Sequence, residues 1–173
     1  VEVLVVTEQG ELVSELLRSV KFSVLSVNRI RWSMVPLARH LRRSRPDTVI
    51  SFLTGANVMT ILAAQISRVS SQIIVTEHST PSEAQAFSKK RDMALAKYTY
   101  AFADHVVGVS RGVSEDIRKW AKISHDKVST IYNPVVDEDQ LTIVYDPPSH
   151  QWFQDDKISV VLSVGRHVKS KDY

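Results

Sequence analysis

Arg166 and Lys171 stand just beyond an apolar run that ends in glycine, Val161-Leu-Ser-Val-Gly165. Gly165 lets the backbone approach a ligand closely, and an arginine and a lysine beyond it offer charge-assisted hydrogen bonds suited to a diphosphate. A solvated surface turn has the same composition, so this motif gains weight only in company. His78 closes the segment Val75-Thr-Glu-His78, two residues past a strand predicted to end at Thr76. In open α/β sheets ligands bind at the carboxyl ends of strands. A histidine there is either a hydrogen-bonded structural residue or a group that acts on a ligand. Its neighbour Glu77 points to the opposite side of an extended chain. Ser110 and Gly112 fall where another strand turns into a helix, so the amides there can bind an anion, or Ser110 serves as an N-cap. Asn57, in Gly55-Ala-Asn57, holds the same kind of position after a third strand.

Several chemistries are missing from this inventory. The 173 residues include no cysteine, which removes disulfides, thiolate metal sites and a cysteine nucleophile. The six histidines form no His-x-x-x-His pair, so no metal site is expected. No Gly-x-Ser-x-Gly elbow, Walker loop or Gly-x-Gly-x-x-Gly fingerprint occurs. The net charge is +3, concentrated in Arg29, Arg31, Arg39, Arg42, Arg43 and Arg45 and again in Lys89, Lys90 and Arg91. These clusters read as solvated helix faces or as a docking patch for an anionic membrane surface. Nucleic acid is not an expected partner, because no recognition-helix signature and no interleaved aromatics accompany the arginines. No run approaches the roughly 18 apolar residues of a membrane span, and the expected location is the cytoplasm, with peripheral membrane contact as an extension.

The elements that must position these residues alternate between short β-branched runs and helical periodicity, the pattern of a parallel sheet wrapped by helices. Strands are predicted at Val1–Val6, Phe22–Val27, Thr48–Phe52, Gln72–Thr76, His105–Val109, Val128–Tyr132 and Ile158–Val164. Met34, Leu37, Ala38 and Leu41 make the apolar stripe of a helix that stops before Arg45-Pro46. A helix over about Asn57–Ile66 is apolar nearly all round and is expected to be buried. Thr80-Pro-Ser-Glu83 reads as a capping box opening a longer helix with Ala94, Tyr98, Ala101 and Phe102 on one face. Ser110 begins a short helix running through Trp120. These elements give a Rossmann-like α/β domain over 1–134, an acidic proline-bearing linker over 135–157, and the opening strand of a second domain over 158–173.

Val75-Thr-Glu-His78, Ala103-Asp-His-Val-Val-Gly-Val-Ser-Arg-Gly-Val-Ser-Glu-Asp-Ile117, Lys127-Val-Ser-Thr-Ile-Tyr-Asn-Pro134 and the Gly165–Lys171 turn, in that order and spacing, resemble family 4 glycosyltransferases of the GT-B fold. The resemblance implies two Rossmann-like domains, with Val1 lying after a first strand and a glycine-rich loop. It implies a retaining transfer of a hexosyl unit from a nucleotide diphosphate sugar to a glycan or a lipid-linked acceptor, without a metal or other cofactor. His78 would then work at the reacting sugar. Gly165, Arg166 and Lys171 would hold the departing diphosphate, Ser110 and Gly112 would contact substrate, and Asn57 would line the acceptor side. His167 replaces the leucine common after the arginine, and the Glu-x7-Glu motif of the second domain would lie past Tyr173. A non-catalytic nucleotide-sugar-binding module and a sugar-nucleotide epimerase on the same scaffold are the alternatives. The epimerase would need a facing pair of acid/base carboxylates, which the chain does not show.

Overall fold

The computed structural model describes residues 1–7, 20–84, 90–134, 148–154 and 157–165. The chain divides into two compact units, Val1–Asn133 and Pro134–Tyr173.

Among the described residues of the first unit the β-branched runs become six strands: β1 (Glu2–Val5), β2 (Lys21–Val24), β3 (Thr48–Phe52), β4 (Gln72–Glu77), β5 (His105–Gly108) and β6 (Val128–Thr130). All the pairings are parallel, as near-continuous apolar runs covered by helices require. They form two separate sheets, a pair β1-β2 and a four-stranded sheet in the order β3-β4-β5-β6. Register aligns Phe52 with Thr76, Thr76 with Val107, and Glu77 with Gly108, so β3, β4 and β5 end on one edge of the sheet.

Among the described residues, five α-helices accompany them. Helix α1 (Met34–Ser44) buries Leu37, Ala38 and Leu41, the expected stripe. It ends at Arg45, which turns left-handed (φ 44°) directly before Pro46 and returns its N–H to the Leu41 carbonyl at 2.8 Å. Helix α2 (Thr54–Ser67) starts three residues earlier than its apolar core predicts and buries Val58, Ile61, Ala63 and Ala64. The guanidinium of Arg42 donates to the carbonyls of Ile66 (3.2 Å) and Ser67 (3.4 Å), so this member of the basic cluster caps the carboxyl end of α2.

After the short helix α3 (Pro81–Ala84) comes α4 (Lys90–Thr99), and its orientation differs from expectation. The face carrying Ala94, Tyr98, Ala101 and Phe102 is solvent-exposed, and Met93, Ala96 and Tyr100 are buried instead. Two facts account for this. Ala96 permits close approach to the core, and only this rotation carries the Tyr100 hydroxyl to a buried carboxyl on β4. Helix α5 (Arg111–Ala121) turns Val113, Ile117 and Trp120 inward, with Trp120 edge-on to Tyr100 at 6.1 Å.

Gly108 marks where β5 meets α5. A Cβ there would lie 2.7 Å from the backbone nitrogen of Ser114, which cannot move aside like a side chain. Gly108→Ala is therefore expected to destabilise the first unit by roughly 1–3 kcal/mol through overpacking, read as a lowered urea midpoint with unchanged slope.

In the second unit, residues Gln151–Phe153 form a 3-10 turn, and His150 stacks edge-on to Trp152 at 5.0 Å. The strand expected at Ile158–Val164 is not formed. Val161 and Val164 are 94% and 86% exposed. Apolar alternation makes a strand only when a neighbour supplies ladder hydrogen bonds, and this stretch has none among the described residues.

Candidate active site

His78 follows β4 directly and is exposed, while Glu77 before it is buried. The pleat sends the two side chains to opposite faces. On the open side, the His78 ring lies 6.0 Å from that of Phe52 at the end of β3, and its Nε2 is 3.4 Å from Thr76 Oγ1. Its backbone is level with Val109 and Ser110, because the Val109 N–H donates to the Glu77 carbonyl at 3.1 Å. The loop beyond is fastened across the sheet. Ser82 gives its N–H (2.9 Å) and its hydroxyl (2.6 Å) to the carboxylate of Asp116 on α5. The histidine thus stands between two helix starts, those of α2 and α5.

Ser110 N-caps α5, its hydroxyl accepting from the Val113 N–H at 3.2 Å. Gly112, in the first turn, is exposed, and a Cβ there would meet nothing nearer than Ser110 Oγ at 3.9 Å. The start of α5 is consequently open to a ligand. At the start of α2, Leu53 has φ 73° and ψ 140°, a conformation that L side chains rarely adopt. Such strain costs on the order of 1–3 kcal/mol and clusters at ligand sites. Asn57 secures the turn, donating its backbone N–H to the Leu53 carbonyl at 2.9 Å.

Beneath this surface lies a buried polar network. Glu77, 1% exposed, accepts from Thr54 Oγ1 (3.0 Å), from Asn57 Nδ2 (3.3 Å) and from the Tyr100 hydroxyl. Asn57, wholly buried, also donates to the Thr76 carbonyl at 2.8 Å and to the Tyr100 oxygen at 3.1 Å. Burial raises the pKa of Glu77 above the usual carboxylate value, against the opposing pull of its hydrogen bonds from Tyr100, Thr54 and Asn57. Burial, then the adjacent Glu77 charge, likewise raise that of Tyr100, which stays neutral. One buried carboxyl therefore ties α2 and the end of α4 to the terminus of the strand that carries His78.

Residues 1–139 match the sequence profile of Glycosyltransferase Family 4. The chain belongs to that family. No curated protein matches it. Among solved structures it is similar to the lipopolysaccharide outer core galactosyltransferase WaaB in its apo form, at 21% identity and a TM-score of 0.59, over 83% of this chain and 38% of that one. It is also similar to Anabaena Alr3699/HepE in complex with UDP and glucose, at 16% identity and a TM-score of 0.60, over 76% of this chain and 36% of that one. The fold is thus the Rossmann-like α/β fold of GT-B enzymes, and the chain spans well under half the length of these structures.

Sequence reasoning reached His78, Ser110, Gly112 and Asn57 in this Family 4 chain, and the fold gathers them at the carboxyl edges of β3, β4 and β5. Asn57 faces inward, so it touches the site only through Glu77 and the β4 backbone. Gly165 belongs to the second unit and is exposed. Arg166 and Lys171 lie outside the described residues. Three contributors went unnoticed in the sequence: Thr54, Tyr100 and the strained Leu53. Tyr100 had a usable signal, since a tyrosine in a core position needs a hydrogen-bond partner and the nearest polar candidate on a strand end was Glu77. Leu53 had none. Among the described residues no group of three His, Asp or Glu is placed to hold a metal ion, and no helix is long and apolar enough to cross a membrane.

Proposed function

We propose that the protein is a retaining hexosyltransferase that uses a nucleotide diphosphate sugar as donor and a glycan or lipid-linked molecule as acceptor, needing no further cofactor. The observation that carries this reading is the exposed imidazole of His78, held between the starts of α2 and α5 at the carboxyl edge of a parallel sheet, in a member of Glycosyltransferase Family 4. The UDP and glucose bound to HepE support a nucleotide-sugar donor.

In this reading His78 contacts the donor sugar or the acceptor hydroxyl. Thr76 Oγ1 and the Phe52 ring bias its orientation, and the rigid β4 terminus beneath it fixes its height above the sheet. The open amides at the start of α5, with Ser110 and Gly112, present partial positive charge to an anionic or hydroxylated substrate group. Gly165, Arg166 and Lys171 hold the diphosphate and stabilise the charge that develops as it leaves. The sugar departs with its bonding electrons left on the diphosphate oxygen, and that oxygen assists removal of the acceptor proton on the same face, so configuration is kept.

The test is His78→Ala in the intact protein. Turnover of the nucleotide sugar is expected to fall at least about tenfold, equivalent to roughly 1.4 kcal/mol of transition-state stabilisation, with the thermal melt unchanged. Unaltered turnover would return His78 to a structural role.

A further inference from the structure

Helices α1 and α2 pack on each other, and each ends in an arginine with left-handed backbone. Arg45 (φ 44°) returns its N–H to the Leu41 carbonyl at 2.8 Å, and Arg68 (φ 53°) returns its own to the Ala64 carbonyl at 3.0 Å. The strands that follow, β3 and β4, pair from their first residues, Thr48 with Gln72. Both helix ends therefore lie at the amino edge of the sheet, opposite to the edge that carries His78.

Between them is a cavity of about 570 Å³, lined by Arg42, Arg45, Arg68, Asp47, Ser70 and Ser71 among others. Its walls are tied together, since the Gln72 N–H donates to the Asp47 carbonyl at 2.8 Å and the Ser71 hydroxyl to the Pro46 carbonyl at 2.5 Å. Three guanidiniums and one carboxylate leave the lining with a net positive charge. Arg42 gives its N–H groups to the carbonyls of Ile66 and Ser67, which offsets the partial negative charge at the end of α2. Among the described residues the side chains of Arg45 and Arg68 make no hydrogen bond or ion pair, the Ser70 hydroxyl makes none either, and Asp47 stands at ion-pair distance from none of the three arginines. The positive charge of this cavity is not cancelled from within the fold.

We propose that the cavity is a binding site for a phosphomonoester, separate from the site at the carboxyl edge. Such a group carries a charge of about −1.5 to −2 at neutral pH and three acceptor oxygens. Arg45 and Arg68 supply planar N–H forks that match those oxygens, and Ser70 adds a hydroxyl donor. The volume falls in the range of small-molecule sites and leaves space for an organic body beside the phosphate. A soluble phosphate compound and a phosphorylated lipid headgroup present the same group to these residues.

Inorganic phosphate is the first probe, titrated into the intact protein carrying Arg166→Ala and Lys171→Ala so that the Gly165–Lys171 turn adds nothing, with backbone amide shifts followed by NMR. Saturable shifts are expected at amides within 42–47 and 67–72. Adding Arg45→Gln with Arg68→Gln should weaken binding at least about tenfold, because two charge-assisted partners are lost together. Asp47→Asn should tighten it, since a like charge leaves the lining. Arg39→Gln with Arg43→Gln, exposed on α1 outside the cavity, should change it by no more than about twofold, as screened surface charges do. Flotation with phosphatidylcholine vesicles, with and without phosphatidic acid, separates the two sources. Capture that needs phosphatidic acid and is lost with Arg45→Gln and Arg68→Gln assigns the cavity to a lipid headgroup, and saturable phosphate binding without capture assigns it to a soluble compound. Phosphate affinity unmoved by the Arg45 and Arg68 changes, an equal loss from the Arg39 and Arg43 changes, shifts confined to other segments, or no binding in either arm would overturn the proposal.

Discussion

Replacing Glu77 with alanine should destabilise the first unit by roughly 3 kcal/mol, since it strands Tyr100, Asn57 and Thr54 without their shared acceptor in a dry interior, where each unmet group costs about 1–3 kcal/mol. Glutamine should restore most of that loss. Its carbonyl keeps the bonds from Tyr100 and Asn57, and its amide donates to the Thr54 hydroxyl, which then turns to accept. It thus imitates the protonated carboxyl.

The same pair of variants tests the charge state of the site. Burial raises the folded-state pKa of Glu77 above the unfolded value of 4.5, so in the interval between the two the native state holds a proton that the unfolded chain has released. The stabilising contribution of that proton is complete below pH 4.5 and drains away as pH rises through the folded value. The Glu77→Gln variant carries no such dependence. Urea midpoints measured from pH 4 upward should therefore show the variant gaining on the native protein as pH increases. A constant difference across that range would mean that Glu77 titrates alike in the folded and unfolded chain.

The network also shows why part of this architecture was readable from the sequence and part was not. Strand positions and the α1 stripe were legible because period and punctuation are local: Leu37, Ala38 and Leu41 repeat at helical spacing, and Arg45-Pro46 stops them. His78 and Ser110 were legible because a parallel sheet puts the ends of its strands on one edge, whatever the details. The rotation of α4 was not. Tyr98 and Phe102 are larger and more apolar as a set than Met93, Ala96 and Tyr100, yet the smaller set faces inward, because one long-range hydrogen bond to Glu77 and one close contact at Ala96 outweigh local hydrophobicity. The strained turn at Leu53 and the close approach at Gly108 depend likewise on what a neighbouring element brings near. Ile158–Val164 reads as a strand for sound local reasons, and its apolar side chains lie exposed for want of an adjacent edge.

The largest effect on ligand binding is expected from Arg166→Ala combined with Lys171→Ala. In the proposed reading both cations grasp the diphosphate of the donor, and hydrogen bonds to charged groups contribute about 1.5–3 kcal/mol each. Losing both should weaken UDP binding by roughly 3 kcal/mol or more, a factor of at least about a hundred. Arginine binds two phosphate oxygens through a planar fork, whereas lysine acts as a compact charge, so Arg166→Lys should recover only part of the affinity lost in Arg166→Ala. Calorimetric titration of UDP into the intact protein and each variant gives these values directly, and raising the salt concentration should narrow the gap between them as screening grows. His78→Ala, measured in the same series, should leave UDP affinity nearly untouched while lowering turnover, because in the proposed reading His78 acts on the sugar rather than on the phosphates. Equal UDP affinity in the native protein and the double variant would detach the Gly165–Lys171 turn from the donor, and would leave the site at the carboxyl edge of β3, β4 and β5 to bind its substrate without it.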